Sequence, residues 1–295
     1  MSGPKEIFDR ALLRRRRAAA APRMADAGFL HRDVAHRLLE RLGDVNRRFA
    51  HALALGWEAW ESPLPVPAAV YADLAPERLR RAPGPRLVLD EEALPIAGRS
   101  FDLIVSNLML HWVNDLPGAL VQMNHALIPD GLLLAAMFGG ETLAGLRHAL
   151  MEAEIEVCGG ASPRVAPMAE IRDLGDLLQR AGFAMPVVDV ETVRVSYGDA
   201  FRLMQDLRAM GEANLLRARH KGFSRRRLFL RAAEIYQARH GDEEGRIAAR
   251  FDVHFLTAWA PGPGQPRPKR PGSATVRLAE ALGATEVRIP GAPRQ

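Results

Sequence analysis

Short apolar segments alternate with amphipathic segments over most of the chain, and this alternation predicts an α/β fold. Residues 1–50 carry apolar positions at helical spacing, so we predict helices that cover one face of the sheet that follows. Segments 103–105 and 132–134 are apolar throughout, which indicates strands that are buried on both faces of a parallel sheet. From residue 51 onward, strands are predicted at 51–55, 69–72, 86–89, 101–106, 131–138, 187–196 and 251–259.

Helices are predicted between and after these strands, at 115–127, 142–157 and 169–181. A helical insertion is predicted at about 198–240, where it would lie over the carboxyl ends of the strands. Residues 260–272 are rich in Pro, Gly and basic residues, which indicates an extended linker. We therefore divide the chain into an N-terminal helical cover (1–50), an α/β domain (51–260) and an extended tail (261–295).

Acidic residues follow two of the predicted strands, where ligands bind in open α/β sheets. Asp73 is suited to accept hydrogen bonds from ribose hydroxyls, although it could equally cap the helix that begins near Pro76. Asp90 ends the next strand and is followed by Glu91. A carboxylate there could accept a hydrogen bond from an adenine amino group, or it could be a helix N-cap. We take Asp73, Asp90 and Glu91 as candidates for cofactor binding.

The stretch after the strand at 101–106 holds the candidates for catalysis. Asn107, His111 and Trp112 follow this buried strand directly, and polar and aromatic groups at a strand's carboxyl end are typical of a ligand crevice. His111 is a candidate general base or orienting donor, with Asn107 beside it. In the alternative interpretation, His111 and Trp112 anchor the loop by packing and by hydrogen bonds to the backbone.

Two further segments combine glycine with polar residues. Residues 137–142 contain a strand end, two glycines and a helix start, so they could hold an anion on helix N–H groups or form only a tight turn. Residues 210–214 lie in the predicted insertion, and their polar groups could face a substrate or solvent.

Composition and charge narrow the function classes. The net charge is +5 and the pI is near 9.9, but only Lys5, Lys221 and Lys269 are lysines, so an arginine-rich coding bias explains the charge. The basic clusters lack interleaved aromatic residues, so we predict no nucleic-acid partner. Cys158 is the only cysteine, which excludes an internal disulfide and suits a cytoplasmic location. No apolar run approaches the roughly 18 residues of a membrane span, and no metal-ligand spacing, P-loop or nucleophile elbow is present.

Five separated motifs together resemble one family, the methyltransferase-like arginine hydroxylases that assist the assembly of respiratory complex I. The similarity spans almost the whole chain, and its motifs keep their order. A more distant resemblance is to the malonyl-carrier-protein O-methyltransferases of biotin synthesis. The five motifs lie at 7–10, 110–117, 136–143, 210–214 and 272–276.

The resemblance implies a class I S-adenosylmethionine (SAM) methyltransferase fold, a Rossmann-like doubly wound sheet with N-terminal helices and a helical insertion. It implies SAM as the cofactor and an arginine of the complex I iron–sulphur subunit as the site of action. Membrane association would be at most peripheral, and a eukaryotic relative would lie in the mitochondrial matrix. By position, Asp73 resembles the ribose-binding acid and Asp90 the residue near adenine. Asn107, Leu108 and His111 resemble the segment beside the reactive end of the cofactor.

The sequence departs from the family at the cofactor loop, residues 52–60. The family places an acidic residue where Ala54 stands and glycines at the positions of Glu58 and Trp60, and only Gly56 is kept. Glycine allows the backbone to approach a ligand closely, whereas a carboxylate at position 58 would repel the methionine carboxylate of SAM. The segment after the loop carries Pro63, Pro65 and Pro67, which disfavour the helix that normally follows.

Three functions therefore fit the sequence. The first is a SAM-dependent enzyme of the complex I assembly family that acts on a protein. The second is a degenerate member of that family that binds the complex I subunit as a chaperone. The third is a carrier-protein or small-molecule O-methyltransferase.

Overall fold

A seven-stranded sheet with the order β3-β2-β1-β4-β5-β7-β6 forms the centre of the protein. The computed structural model describes residues 6–57, 63–266, 276, 278–281 and 283, and the chain forms two units, Met1–Pro263 and Gly264–Gln295. The strands are β1 His51–Leu55, β2 Ala68–Asp73, β3 Arg86–Val88, β4 Phe101–Asn107, β5 Leu127–Gly139, β6 Ala184–Tyr197 and β7 Ile247–Trp259.

Nine helices are described. They are α1 Arg10–Ala20, α2 Met24–Ala27, α3 Phe29–Gly43, α4 Leu116–Ala126, α5 Ala144–Cys158, α6 Ile171–Arg180, α7 Ala200–Met210, α8 Arg226–His240 and, in the second unit, α9 Leu278–Ala281. Short 3₁₀ helices span Ala21–Arg23, Pro76–Leu79 and Leu110–Trp112. No helix of the described residues is both long enough and apolar enough to cross a membrane.

Strands β1 to β5 pair in parallel, which agrees with the parallel sheet that their apolar character predicts. Strand β7 runs antiparallel to both β5 and β6, so β6 keeps the direction of β5 and β7 alone runs opposite to the other strands. The helical insertion, which contains α7 and α8, joins β6 to β7. The division into three regions that the sequence suggests stays a prediction.

The sheet is buried on both faces, which explains the absence of polar alternation in its central strands. On β4, Leu103 and Val105 pack into one apolar cluster, and Ile104 packs into the other. Helix α3 contributes to the first cluster and packs against β4 and β5, so its role as a cover for the sheet is confirmed. Helices α4 and α6 pack on the opposite face.

Helix α1 does not lie on a face of the sheet. It packs against the 3₁₀ helix Pro76–Leu79, which directly follows β2, and against α7. The N-terminal helix is therefore brought to the carboxyl end of the sheet, where the candidate ligand residues lie. The prolines at 63, 65 and 67 have the predicted effect, because residues 63–67 are not helical.

Candidate functional site

Gly56 forms a tight turn at the end of β1. Its N–H donates to the carbonyl of Ala72 at 3.0 Å, and its φ of +62° lies in the left-handed region. A Cβ atom at this position would lie 2.7 Å from the carbonyl oxygen of Asn107 and 2.5 Å from the sulphur of Met109. Glycine is therefore required here by backbone conformation and by space. Ala54 is fully buried in the strand before it, whereas Glu58 and Trp60 lie outside the described residues.

Asp73 is buried at the end of β2 and faces cationic side chains. One carboxylate oxygen, Oδ1, accepts a hydrogen bond from the N–H of Ala75 at 2.8 Å, and Arg17 and Arg78 lie 3.9 and 4.0 Å from the carboxylate. Burial raises the pKa of Asp73, and the two arginines only partly offset this effect. Its other oxygen, Oδ2, has no hydrogen-bond partner among the described residues.

Asp90 and Glu91 form an ion cluster with helix α1. Arg10 donates to Asp90 Oδ1 and to Glu91, and Arg17 donates to Glu91 Oε1 at 2.8 Å. The side chain of Glu91 is fully buried. Burial alone would raise the pKa of Glu91, but the charges of Arg17 and Arg10 outweigh it, and the pKa lies below its usual value. Helix α1 thus occupies the carboxylate of Glu91. The described hydrogen bonds to the side chain of Asp90 all go to Oδ1.

Asn107 and Leu108 carry the chain out of β4. The amide of Asn107 donates through Nδ2 to the carbonyl of His31 at 3.0 Å, and its Oδ1 has no partner among the described residues. The same holds for the buried hydroxyl of Ser106. Leu108 has a φ of +52° and donates its N–H to Ala136, and this turn directs the chain into the 3₁₀ helix Leu110–Trp112.

His111 lies on that 3₁₀ helix and binds the carboxylate of Glu212, which belongs to the segment 210–214 and which the sequence did not connect with His111. Its Nε2 is 3.0 Å from Glu212 Oε2, and Trp112 Nε1 donates to the same oxygen at 2.8 Å. The ring of His31 approaches the other oxygen, with Nε2 at 3.6 Å from Oε1. Glu212 directly follows α7 and the left-handed residue Gly211. The 3₁₀ helix Leu110–Trp112 and helix α3, both far from Glu212 in the sequence, therefore place side chains at its carboxylate.

The charge state of this cluster follows from its contacts. Burial opposes ionisation of Glu212, but His111 and His31 outweigh burial and hold its pKa far below the usual value. Burial lowers the pKa of His31, which favours its neutral form. His111 also packs against Trp112 and Phe138, with ring centroids 5.1 and 4.9 Å away. The ring packing agrees with part of the anchoring interpretation, but the hydrogen bonds go to a carboxylate and not to the backbone. The role of His111 as a general base stays a prediction.

The segment 137–142 is a tight turn. The hydroxyl of Thr142 donates to the carbonyl of Gly139 at 2.8 Å, and the N–H of Glu141 donates to Asp252 at 3.0 Å. One of the two expectations for this segment was that its backbone N–H groups hold an anion. The carboxylate of Asp252 already accepts a hydrogen bond from that backbone. Within the described residues, no group of three or more His, Cys, Asp or Glu side chains could hold a metal ion.

Buried oxygens without hydrogen-bond partners among the described residues lie at the carboxyl ends of β2 and β4. They belong to Asp73, Ser106 and Asn107, and native proteins pair nearly all buried polar atoms with protein, water or ligand. Hydroxyl and amino donors, such as those of a nucleoside, fit these acceptors. SAM is therefore compatible with the side chains of Asp73, Ser106 and Asn107 and with the turn at Gly56. Glu91 is not suited to bind SAM, because α1 already engages its carboxylate.

Comparisons with known proteins confirm the resemblance seen in the five motifs. A family model described as "Methyltransferase domain" matches residues 64–135. The chain is 38% identical to human arginine-hydroxylase NDUFAF5, mitochondrial, over 98% of this chain and 87% of that protein. It is 36% identical to the malonyl-[acyl-carrier protein] O-methyltransferase of Halorhodospira halophila, over 88% of this chain and 91% of that protein.

The fold is shared with solved structures at low identity. The BH2331 protein of Bacillus halodurans C-125 superposes with a TM-score of 0.52 at 14% identity, over 78% of this chain and 99% of that chain. The chain therefore belongs to the SAM-dependent methyltransferase family, with the arginine-hydroxylase NDUFAF5 proteins among its relatives.

Proposed function

We propose that the protein is a SAM-binding enzyme that acts on an arginine of a protein substrate. The observation that carries this proposal is the carboxylate of Glu212, which lines a cavity beside the end of β4. Carboxylates bind guanidinium groups through charge-assisted hydrogen bonds. Oε2 is occupied by His111 and Trp112, whereas Oε1 has only His31 at 3.6 Å. Glu212 thus keeps one oxygen to accept hydrogen bonds from a substrate.

In this proposal, Gly56, Asp73, Asn107 and Leu108 hold the cofactor, and Asp90 contributes through Oδ2. When bound, SAM supplies a sulphonium centre that carries an electrophilic methyl group. Glu212 fixes the ring of His111 through Nε2 and leaves Nδ1 as the atom that can hold or accept a proton. Asn107 is oriented by its bond to His31 and presents Oδ1. Glu91 serves α1 rather than the cofactor.

The resemblance also suggests the partner. The family relation supports complex I as the assembly on which the protein acts, and within it the iron–sulphur subunit that the resemblance implies. The human relative is named as mitochondrial, and a bacterial relative would act on the cytoplasmic side.

Calorimetric titration with SAM tests the cofactor. We expect binding to the wild-type protein and at least a tenfold weaker affinity for Asp73→Asn, because the ribose acceptor loses its charge. Asp199→Asn is a matched control, since Asp199 only caps α7. A folded wild-type protein that binds no SAM would contradict the proposal and favour the chaperone function.

Mass spectrometry of the purified iron–sulphur subunit tests the reaction. One incubation holds the protein with SAM alone, which supplies only a methyl group, and a second adds O2 and a two-electron reductant, which hydroxylation requires together with release of water. We expect one arginine-containing peptide to gain the mass of a methyl group or, in the second incubation only, that of an oxygen atom. The identity of the added group then decides between methylation and hydroxylation. An unmodified subunit in the presence of a SAM-binding protein would exclude the arginine substrate.

A second candidate is O-methylation of a carrier-bound carboxyl group. It is favoured by the 36% identity to the malonyl-[acyl-carrier protein] O-methyltransferase over 88% of this chain. The same assay with a malonyl carrier protein tests it, with methyl ester formation as the expected product.

A further inference from the structure

A cavity of about 780 Å³ opens beside Trp112 and Glu212. This volume is in the range of small-molecule sites, which measure roughly 300–1,000 Å³. The described lining residues include neither Gly56 nor Asp73 nor Asp90, so the cavity is separate from the crevice proposed for the cofactor. Its walls come from α1, α5, α7 and α8, from the strands β5 and β7, and from the segments that follow α5 and α7.

One part of the lining is strongly apolar. Leu146 and Leu150 of α5, Phe229 of α8 and Phe251 of β7 line the cavity together with Phe138 of β5. Phe138 and Phe251 are in ring contact, with centroids 5.8 Å apart. Such a surface accommodates an aliphatic chain. Each Å² of apolar area that binding removes from water stabilises the complex by about 25 cal/mol.

The remainder of the lining is cationic. Among its described residues, Glu212 is the single carboxylate, and His111 and Trp112 already bind it. The cations that line the cavity are Arg16, Arg23, Arg164, Arg208, Arg219 and Lys221. A cavity with this balance attracts anions and disfavours free cations.

These cations differ in their partners. Arg164 is paired with Glu154 at 2.6 Å, and Arg219 is paired with Asp9 at 3.4 Å. Arg16 has a buried Nη1 without a hydrogen-bond partner among the described residues. Its pKa is lowered by burial and by the charges of Arg219 and Arg208, which line the same cavity. An anion bound beside Arg16 would offset the repulsion that Arg16 receives from these two arginines.

We propose that this cavity binds an anionic amphiphile, a ligand with one carboxylate or phosphate group and an aliphatic chain. Arg16, Arg208 and Arg219 bind the anion, because a guanidinium fork matches the oxygens of carboxylate and phosphate groups. The aliphatic chain packs between Leu146 and Phe229. Glu212 lines this same cavity, so the anionic ligand and the proposed arginine substrate would enter one cavity and contact different residues of its lining. Titration without SAM and without a protein substrate tests the anion site by itself, so its outcome can be told apart from a failure of the proposed function.

The test is calorimetric titration of the full chain, without SAM, using ligands that share one alkyl chain. Decanoate, decyl phosphate, decanol and decylamine are each titrated below their critical micelle concentrations. We expect one or both anions to bind at least tenfold more tightly than decanol, and decylamine to bind most weakly. The preferred anion identifies the headgroup as carboxylate or phosphate. The affinity of the anion should fall as salt is added.

Variants locate the anion. Arg16→Gln and Arg208→Gln should each weaken binding of the preferred anion about tenfold while leaving decanol unchanged. Arg14→Gln on α1 and Arg202→Gln on α7 are matched controls, because both arginines are exposed and neither lines the cavity. Arg208 is exposed, so its variant remains informative if Arg16→Gln does not fold. Any one of three results would overturn the proposal. They are equal affinities for decanoate, decyl phosphate and decanol, absence of binding by both anions, and unchanged anion affinity in a folded Arg208→Gln variant.

Discussion

Arg17 Nη1 lies 2.8 Å from Glu91 Oε1, and the two side chains are 5% and 0% exposed. This buried ion pair joins helix α1 to the turn after β3, and Arg10 adds a second cation to the same carboxylate. An ion pair out of water is stable only when both charges are satisfied. The pair therefore fixes the N-terminal helix over the carboxyl end of the sheet.

Removing Arg17 should destabilise the fold. We expect Arg17→Met to lower the free energy of unfolding by about 3–5 kcal/mol, because it removes one of the two cations that neutralise buried Glu91. The double variant Arg17→Met/Glu91→Gln should recover part of that loss, since Glu91 no longer places a charge in the interior. Urea denaturation measures both. Exposed Arg14→Met is the control, and an equal loss in that variant would argue against a specific role for the pair.

Glu212 should make stability depend on pH. Its pKa in the folded protein lies below the ordinary value of 4.5, so its ionised form stabilises the fold at neutral pH. That contribution is lost as the pH falls below the ordinary value towards the folded-state pKa. We expect Glu212→Gln to be about 1–3 kcal/mol less stable near neutral pH. The variant should also lose less stability on acidification than the wild type, as urea denaturation from about pH 7 to about pH 3 would show. Parallel pH profiles of the two proteins would contradict this.

Gly56→Ala tests the turn at the end of β1. The substitution places a Cβ 2.7 Å from a backbone oxygen at a φ of +62°, so we expect a loss of more than about 1 kcal/mol of stability. SAM affinity should fall with it. Gly175→Ala is the matched control, because nothing lies within 4 Å of its Cβ position in α6. That control should gain about 0.5–1 kcal/mol. A neutral Gly56→Ala variant would mean that the turn tolerates a side chain.

His111→Gln separates the catalytic role of His111 from its anchoring role. Glutamine keeps an N–H that can donate to Glu212, but it cannot exchange a proton near neutral pH. We expect most of the stability to remain and turnover to fall by about 10²–10⁴-fold. His111→Ala should lose both, because Glu212 then loses a donor. If His111→Gln keeps its turnover, the anchoring role is sufficient.

The sheet could be predicted from the sequence because its central strands are apolar throughout. Every predicted strand is present; β2, β4, β5, β6 and β7 extend beyond their predicted bounds, and β3 ends one residue before its predicted end. The positions of Asp73, Asn107 and His111 at strand ends follow from the same pattern, since each comes directly after or near the end of an apolar run.

The contacts of these side chains could not be predicted in the same way. His31 and Glu212 meet His111 only because α3 and the turn after α7 are folded against β4, and no local pattern records that meeting. The arginine-rich composition alone does not distinguish Arg16 from Arg17 in α1. Arg17 pairs with buried Glu91 and Arg16 lines the cavity, because neighbouring residues of a helix point about 100° apart.

Arg16 and Arg17 stand side by side in α1, yet Arg16 lines the cavity and Arg17 binds Glu91 beside Asp73. Helix α1 thus borders the cavity with one residue and is anchored to a buried carboxylate by the next. Because the two residues share one helical backbone, a displacement of α1 that separated Arg17 from Glu91 would also shift Arg16 at the cavity wall.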